Sequence, residues 1–458
     1  MDKLGAIATI KEKKNTFIDV SDRIWDYAEM AFCEYRSAQL LCDVLRQEGF
    51  TVKEGVADIS TAFTASFGSG KPVLGILGEY DALSGLNQKA NSFTEEPVSP
   101  EDAGKPGHGC GHNLLGAGAL AAAVAVKEYL KDKPGKGTVV FFGCPGEEGG
   151  SGKTFMARDG VFDGLDAAIT WHPAGRTGVK SGSNLANIQV EYTFLGKASH
   201  AAASPQRGRS ALDAVELMNM GVQFLREHIP DSDRVHYAIT DAGGVSPNVV
   251  QPKAKVLYLI RSQSLDGVKD LHRRVDLVAQ GAATMMETKV EARFIKACSN
   301  LLPNHTLEKI LYENVLQAKL PAYTQEEWDF AKGMAATWGR EEDFLFEGVK
   351  EYEAHMRHSK GSSDVGDVSW MCPTAQIWVA THPLGTPAHS WQETASGKHS
   401  IAHKGMLLAG EVMAAAVIDL LENPELLAQA KAEFSERVSK TPYACPIPEG
   451  VKPAIGGL

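Results

Sequence analysis

The chain contains no apolar run as long as the roughly 18 residues that a membrane helix needs. Its richest apolar stretch, Leu114 to Val126, is dominated by alanine and glycine and predicts a packed helix. No run of lysine or arginine is long enough to follow a nucleic-acid backbone, and the net charge of −11 points the same way. The opening residues, MDKLGAIATIKEKKN, lack the apolar core of a secretory leader. The seven cysteines are odd in number and scattered, which excludes a disulfide framework and fits a reducing cytoplasm. Internal repeats and low-complexity tracts are also missing. What remains is a chain of 458 residues, 43% apolar and 22% charged: a two-domain globular enzyme by size and composition.

Three short apolar runs each end in chemistry-bearing residues. Val73-Leu-Gly-Ile-Leu-Gly is followed by Glu79-Tyr80-Asp81, Thr138-Val-Val-Phe-Phe-Gly-Cys by Glu147-Glu148, and Ala167-Ala-Ile-Thr-Trp by His172. Continuous apolar runs of this length predict buried parallel strands. Ligands of open α/β sheets bind beyond the carboxyl ends of such strands. Between the first two runs, Ser84 to Gly109 reads as a long polar loop, and His112 opens a helix to about Leu130. Thr16 to Glu48 has helical periodicity. From about Asn184 the pattern changes to strand 188–194, helix 209–228, strands 235–240 and 254–261, helix 265–286 and strand 289–297. That β-α-β-β-α-β order predicts an inserted second domain over 185–299, with 1–184 and 300–458 forming the first. A strand over 375–380 and a helix over 406–421 close the chain's return.

Cys110 and His112 in Gly-His-Gly-Cys-Gly-His-Asn, Glu148 in Pro-Gly-Glu-Glu-Gly-Gly, His172 in Trp-His-Pro and His389 in Gly-Thr-Pro-Ala-His-Ser-Trp form a mixed thiolate, imidazole and carboxylate set. Such a set suits divalent transition metals. Each motif alone has an ordinary explanation: a buried cysteine, a solvated helix start, a core histidine. Their shared position after strand ends is what packing does not explain. Glu148 is assigned to metal and Glu147 to the general base that takes a proton from water. His382 of Thr-His-Pro rivals His389, and spacing does not choose between them. Asp81 and Glu79 are placed to orient ligands. His108 reads as a loop or supporting residue, and Asp364 and Asp367 as further polar loop candidates.

Gly78-Glu-Tyr-Asp-Ala-Leu, Gly-His-Gly-Cys-Gly-His-Asn-Leu-Leu-Gly, Gly-Cys-Pro-Gly-Glu-Glu-Gly-Gly-Ser-Gly-Lys-Thr-Phe-Met, Ala-Ala-Ile-Thr-Trp-His-Pro and Ser-Ile-Ala-His-Lys-Gly-Met-Leu-Leu-Ala-Gly together resemble the M20 metallopeptidase and amidohydrolase family, in the branch typified by the B-type chain of aminobenzoyl-glutamate hydrolase. The resemblance runs nearly end to end. It implies a zinc-peptidase-like α/β catalytic domain with a mixed central sheet, plus an inserted split βαβ (ferredoxin-like) lid or dimerisation domain. It also implies two divalent metal ions per subunit, held by Cys110, His112, Glu148, His172 and His389, which selects His389 over His382. Members of the wider family carry His-x-Asp after the first strand, where this chain has Glu79-Tyr80-Asp81. The branch favours manganese, whereas the softness of a thiolate favours zinc.

The same resemblance implies that His200 in Gly-Lys-Ala-Ser-His-Ala crosses a dimer interface to polarise the scissile carbonyl in the neighbouring protomer. Asn248 and Arg261 would hold the substrate carboxylate, a task for which the planar guanidinium is suited. The expected reaction is hydrolysis of an N-acyl or N-aroyl amino acid, with p-aminobenzoyl-glutamate, a folate breakdown product, as the substrate that fits best. Indole-acetyl-aspartate hydrolysis and dipeptidase action are sister readings, with Ser84 to Gly109 as the specificity loop. In a different class stands a partner or regulatory subunit working beside a related chain, as a heterodimer rather than a homodimer. No nucleic acid and no membrane is expected.

Overall fold

The computed structural model describes residues 1–439 and 441–456. The strands in chain order begin with β1 (Thr51–Glu54), β2 (Phe63–Ser69), β3 (Val73–Gly78), β4 (Gly137–Gly143), β5 (Ala167–Ala174) and β6 (Gly178–Lys180). They continue with β7 (Ala186–Leu195), β8 (Arg234–Asp241), β9 (Lys253–Ser262), β10 (Lys289–Cys298) and β11 (Thr374–Ala380). Seven of them make one mixed sheet in the order β1-β2-β4-β3-β5-β11-β6. Its centre is parallel, β4 with β3, β3 with β5 and β5 with β11, so the three strands that carry the site motifs end on the same side.

Burial on both faces explains their unbroken apolar character. One face carries Ile76, Phe141, Trp171 and Ile377 into a core shared with the helices His112–Leu130 and Ser400–Glu422. The alanines and glycines of those two helices let their backbones approach closely. The opposite face carries Leu77, Phe142 and Ala168 against the helices Gly152–Arg158 and Val365–Met371.

The remaining four strands form an antiparallel sheet in the order β10-β7-β9-β8. The helix Ala211–Leu225 connects β7 to β8, and Leu265–Met285 connects β9 to β10. This is the expected split βαβ arrangement. Ser210 and Ser264 cap the two helices through their hydroxyls, each satisfying an otherwise unpaired N–H. The lid sheet reaches the first domain at the site itself: Lys296 of β10 donates to the carbonyl of Glu148 at 2.9 Å. Among the described residues, no helix is long and apolar enough to cross a membrane.

The helical stretch expected over Thr16–Glu48 is two helices, Lys14–Tyr27 and Tyr35–Gln47, preceded by a further helix Lys3–Glu12. Ala28 ends the first in the left-handed region (φ 43°). The break serves the site. It delivers the fully buried Glu34 carboxylate to the N–H of Gly146 (2.9 Å) and the hydroxyl of Thr61 (2.9 Å). The antiparallel β1–β2 pair leaves no mark in the sequence pattern. The loop 84–109 is pinned at its base by Leu83–Gly107 pairing. Its tip, Phe93, packs on Phe330 of the helix Gln325–Ala336.

Candidate metal centre

The site residues are placed at chain reversals, except His172, which lies within β5 two residues before its end and not after the strand as its apolar run predicts, because pairing with β11 carries the strand on to Ala174. After β3, Tyr80 turns into the core while Glu79 and Asp81 face the site, all three buried. Between Cys110 and His112, Gly111 adopts φ +68°, and a Cβ there would lie 2.9 Å from the ring of Pro173. Only glycine lets the two candidate ligands turn toward one point so close to the strand that carries His172. After β4, the Pro145-Gly146 turn starts a short helix whose first residues are Glu147 and Glu148. His389 sits in the left-handed region (φ 53°) in the loop after β11.

The side chains converge. Cys110 Sγ lies 3.5 Å from His172 Nε2, while His172 Nδ1–H donates to the carbonyl of Pro173 at 2.7 Å. That bond fixes the tautomer and leaves the Nε2 lone pair aimed at the thiol. His112 Nδ1–H is held by Asp81 Oδ1 at 2.9 Å, the carboxylate–histidine arrangement that orients an imidazole toward metal. The other Asp81 oxygen accepts the N–H of Glu148 at 2.9 Å. His389 Nε2 lies 3.2 Å from Glu148 Oε1. Donor atoms of three sets, Cys110–His112–His172, Cys110–Glu148–His389 and Glu79–His112–Glu147, each fall within 4.8 Å of one another. His112 Nε2 and Glu148 Oε1 are buried without a hydrogen-bond partner.

Those orphaned atoms and the local charge test whether metal fits. Glu34, Glu79, Asp81, Glu147, Glu148, Asp364 and Glu393 are all at or beside the site and largely withdrawn from water. Against them stands the fully buried Lys153, 2.7 Å from both Glu79 Oε1 and Asp364 Oδ1. Burial, with Glu79 and Glu148 nearby, pushes the Glu147 carboxyl up to about 8. Burial pushes Glu393 and Glu34 up to about 8 as well. Glu148 is driven the other way: burial opposes its ionisation, but His389 and His112 hold it at about 2. So much buried negative charge beside a thiol and an unpaired imidazole nitrogen is the environment that divalent cations neutralise. The residues present fit a metal centre.

The other candidates fall elsewhere. His108 is buried, with Nε2 at 3.0 Å from the carbonyl of Ile24, and supports the helix beneath. His382 contacts the carbonyl of Pro383 and lies 3.8 Å from Glu393, outside the three donor sets. Asp367 is a cross-tie that accepts from Thr154, Ser299 and Tyr443. Asp364 belongs to the site through Lys153. His200 and Asn248 are exposed and neighbour one another at one end of the lid sheet, where the backbone pairs His200 with Val249. Arg261 lies near the opposite end of β9 and donates to Ser362 Oγ at 2.8 Å. The strand rises about 27 Å between Lys253 and Arg261, so Asn248 and Arg261 of one chain do not grip one carboxylate, and the expected pair is separated within the protomer.

Two site residues escape a reading of the sequence. Lys153 lies in a glycine-flanked motif that resembles an exposed helix start, and Glu393 accepts the N–H of His389 at 3.1 Å from a helix with no motif of its own. Glu79, which the sequence marks only as a supporting residue, has its Oε2 3.4 Å from His112 Nε2.

A mixed sheet with three donor sets gathered at one side, a buried carboxyl raised toward neutrality and an inserted split βαβ sheet is the frame of a metal-dependent amidohydrolase. The family model for peptidase family M20/M25/M40 matches residues 75–410, and the chain belongs to that family. It is 48% identical to the B-type chain of p-aminobenzoyl-glutamate hydrolase from Escherichia coli, over 97% of each chain. It is 26% identical to the A-type chain of the same hydrolase from that organism, over 61% of this chain and 73% of that one. A dinuclear metal-binding M20 peptidase from Bacillus subtilis shares the fold, with a TM-score of 0.56 at 19% identity, over 90% of this chain and 99% of that one.

Proposed function

We propose that the chain hydrolyses p-aminobenzoyl-glutamate to p-aminobenzoate and glutamate, as a step of folate catabolism. The observation that carries the substrate is the likeness, at 48% identity over 97% of both chains, to the E. coli protein that bears that activity in its name. Two divalent ions per protomer, manganese in preference to zinc, would be held by Cys110, His112 and His172 on one side and Cys110, Glu148 and His389 on the other. When bound, such ions acidify water and polarise a carbonyl.

The chain's own groups do the rest. Glu147, raised toward neutrality and beside Glu79 and His112, takes the proton of the attacking water and delivers it to the leaving amine. Asp81 fixes the tautomer of His112, and Pro173 that of His172. Arg261 receives the substrate's α-carboxylate. His200 and Asn248 stand at the other end of the lid sheet from Arg261, which supports a role in a neighbour's site, His200 at the oxyanion and Asn248 at the carboxylate.

The edge strand β8 with Tyr237 and Ile239, and the helix beside it with Met220 and Phe224, expose apolar side chains that an isologous contact would cover. A second copy of this chain is the partner favoured here, with a chain like the A-type one of the E. coli hydrolase as the alternative. A reducing cytoplasm suits the free thiol of Cys110.

The test is glutamate release by the purified chain, stripped by chelation and reloaded with manganese or zinc. Release with either metal is expected. Glu147→Gln should lower it by about 10²–10⁴-fold while elemental analysis finds the metal content unchanged. No release with either metal from correctly folded protein sinks this substrate.

A further inference from the structure

The turn that carries Glu147 and Glu148 is not self-supporting. It is a helix of a single turn, Glu147–Gly150, closed by the bond from Gly150 N–H to the carbonyl of Gly146 at 2.9 Å and without a side-chain cap. A turn of that length is unstable alone. What holds it comes from other parts of the chain. On one side Asp81 Oδ2 accepts the N–H of Glu148 at 2.9 Å. On the other, Glu34 Oε1 accepts the N–H of Gly146 at 2.9 Å, while its second oxygen takes the hydroxyl of Thr61 at 2.9 Å. The ring of Phe32 fills the space beneath. A Cβ at Gly146 would lie 2.9 Å from that ring, and one at Gly150 would overlap it outright. The glycines that bracket the glutamate pair make room for a phenylalanine.

Phe32 and Glu34 belong to the connector 28–34 between the helices Lys14–Tyr27 and Tyr35–Gln47, and that connector is strained. Ala28 and Phe32 both lie in the left-handed region, at φ 43° and 62°. For a phenylalanine this is an outlier that persists only where its surroundings fix it. Glu34 stands at the start of the second helix yet does not cap it. Glu29 does so instead, its carboxylate accepting the N–H of Arg36 at 3.0 Å and of Ser37 at 2.9 Å. The carboxyl of Glu34 is thereby left to cross to Gly146. The same connector holds the turn after β3. Ala82 N–H donates to the carbonyl of Glu29 at 2.8 Å, and Met30 pairs with Ala82. From behind, the carbonyl of Ala31 accepts the N–H of Gly456 at 2.8 Å. One short segment thus grips the chain next to Asp81 and the chain next to Glu147.

We propose that Glu34 and Phe32 are positioning residues for the hydrolysis: through the N–H of Gly146, with the Phe32 ring as a stop, they set the direction in which Glu147 reaches the attacking water. The inference rests on the reading of Glu147 as the base. Packing alone does not call for this arrangement, because a buried carboxyl is costly and an apolar side chain would fill the same space. Burial, with Asp81 nearby, pushes the Glu34 carboxyl up to about 8. It is therefore held mostly as the neutral acid near pH 7, and an amide of the same shape can imitate it.

The experiment compares manganese-loaded wild type, Glu34→Gln and Glu34→Met on p-aminobenzoyl-glutamate, with thermal melting to check that each is folded. Glutamine keeps an oxygen for the Gly146 N–H; methionine keeps only the bulk. Glu34→Met should lower kcat by about 10–100-fold, the scale of a misplaced catalytic group, and change KM by less than about threefold, since the substrate does not touch Glu34. Glu34→Gln should recover most of kcat. Backbone hydrogen exchange, read by mass spectrometry, gives a measure that needs no turnover. Loss of the bond should speed exchange over residues 145–151 by about tenfold in Glu34→Met and leave the lid helix Leu265–Met285 unchanged. Wild-type kcat in Glu34→Met, or unchanged exchange over 145–151, would overturn the brace. So would exchange raised equally in both regions, which marks a loss of stability everywhere, and so would a Glu34→Gln protein as impaired as Glu34→Met. If Glu34→Met does not fold, Phe32→Leu withdraws the ring and keeps the carboxyl. The same local rise in exchange and fall in kcat are expected of it, and wild-type values of both would overturn the proposal. Should wild type itself release no glutamate, the proposed reaction falls, and the local exchange alone decides the brace.

Discussion

At the scale of single residues, the site is a problem of charge. Lys153 is fully buried between Glu79 and Asp364, and its backbone N–H also donates to Asp364 at 2.8 Å. Removing the ammonium would strand two carboxylates away from water. Lys153→Met should therefore cost about 3–5 kcal/mol of stability, read from urea unfolding, and lower metal content by releasing Glu79 from its place beside His112. A variant of wild-type stability would show that the carboxylates are protonated instead. The same excess of carboxyls sets a pH dependence. Glu147 and Glu393 have pKa values of about 8 folded, against 4.5 as their reference. A raised carboxyl pKa stabilises the metal-free protein below about pH 4.5, and that contribution fades as pH climbs to about 8. Glu148, held at about 2, stabilises above pH 4.5 and loses that contribution only as pH falls below it. His172, lowered to about 4 from 6.5, is neutral in both states above pH 6.5 and adds no slope there. Metal binding expels the protons of the buried thiol and carboxyls, so its affinity rises with pH. The gap in melting temperature between manganese-loaded and chelated protein should thus widen from pH 6.5 to pH 8. A gap that narrows would refute this account of the site.

At the scale of elements, what the sequence discloses is periodicity and punctuation. The runs of β3, β4 and β5, with Asp81 and Glu148 beyond the first two and His172 near the end of the third, are legible because a buried parallel strand admits almost only apolar side chains. The lid's strands and helices are legible because half-buried elements alternate. The short β1 and the break at Ala28 are not, since a four-residue edge strand and a single left-handed alanine leave no pattern. Lys153 escapes for a related reason: a lysine is read as solvated unless the structure shows what encloses it. Gly111 marks the limit from the other side. Its need for a left-handed conformation is visible as a glycine between two ligands, but its contact with Pro173 is not. Gly111→Ala should lower stability by about 1–2 kcal/mol and weaken metal binding more than that, because Cys110 and His112 can no longer meet beside His172. Denaturation with and without manganese measures both. Equal stability loss in the two conditions would mean that the turn serves the fold alone.

At the scale of the whole molecule, the decisive fact is the length of β9. Arg261 reaches the loop of Ser362 near the catalytic domain, while His200 and Asn248 stand at the far end of the same sheet. A protomer whose His200 stands at the other end of the lid sheet from Arg261 is incomplete if His200 is needed for turnover. Two defective proteins should then repair one another. Glu147→Gln lacks its base but offers an intact His200; His200→Ala lacks the donor but keeps a complete centre. Each alone should be nearly inactive. In a randomly exchanged equal mixture about half of the dimers are hybrids, and each hybrid carries one site built from wild-type groups only, which predicts about a quarter of wild-type activity. The apolar edge at Tyr237 and Ile239 supplies the control. Ile239→Glu placed in both partners should keep them monomeric by light scattering and abolish the recovery. A His200→Ala protein that is active alone would remove His200 from the reaction and leave oxyanion stabilisation to the centre alone. No recovery from two inactive variants whose dimers demonstrably exchange would put His200 in its own protomer's site.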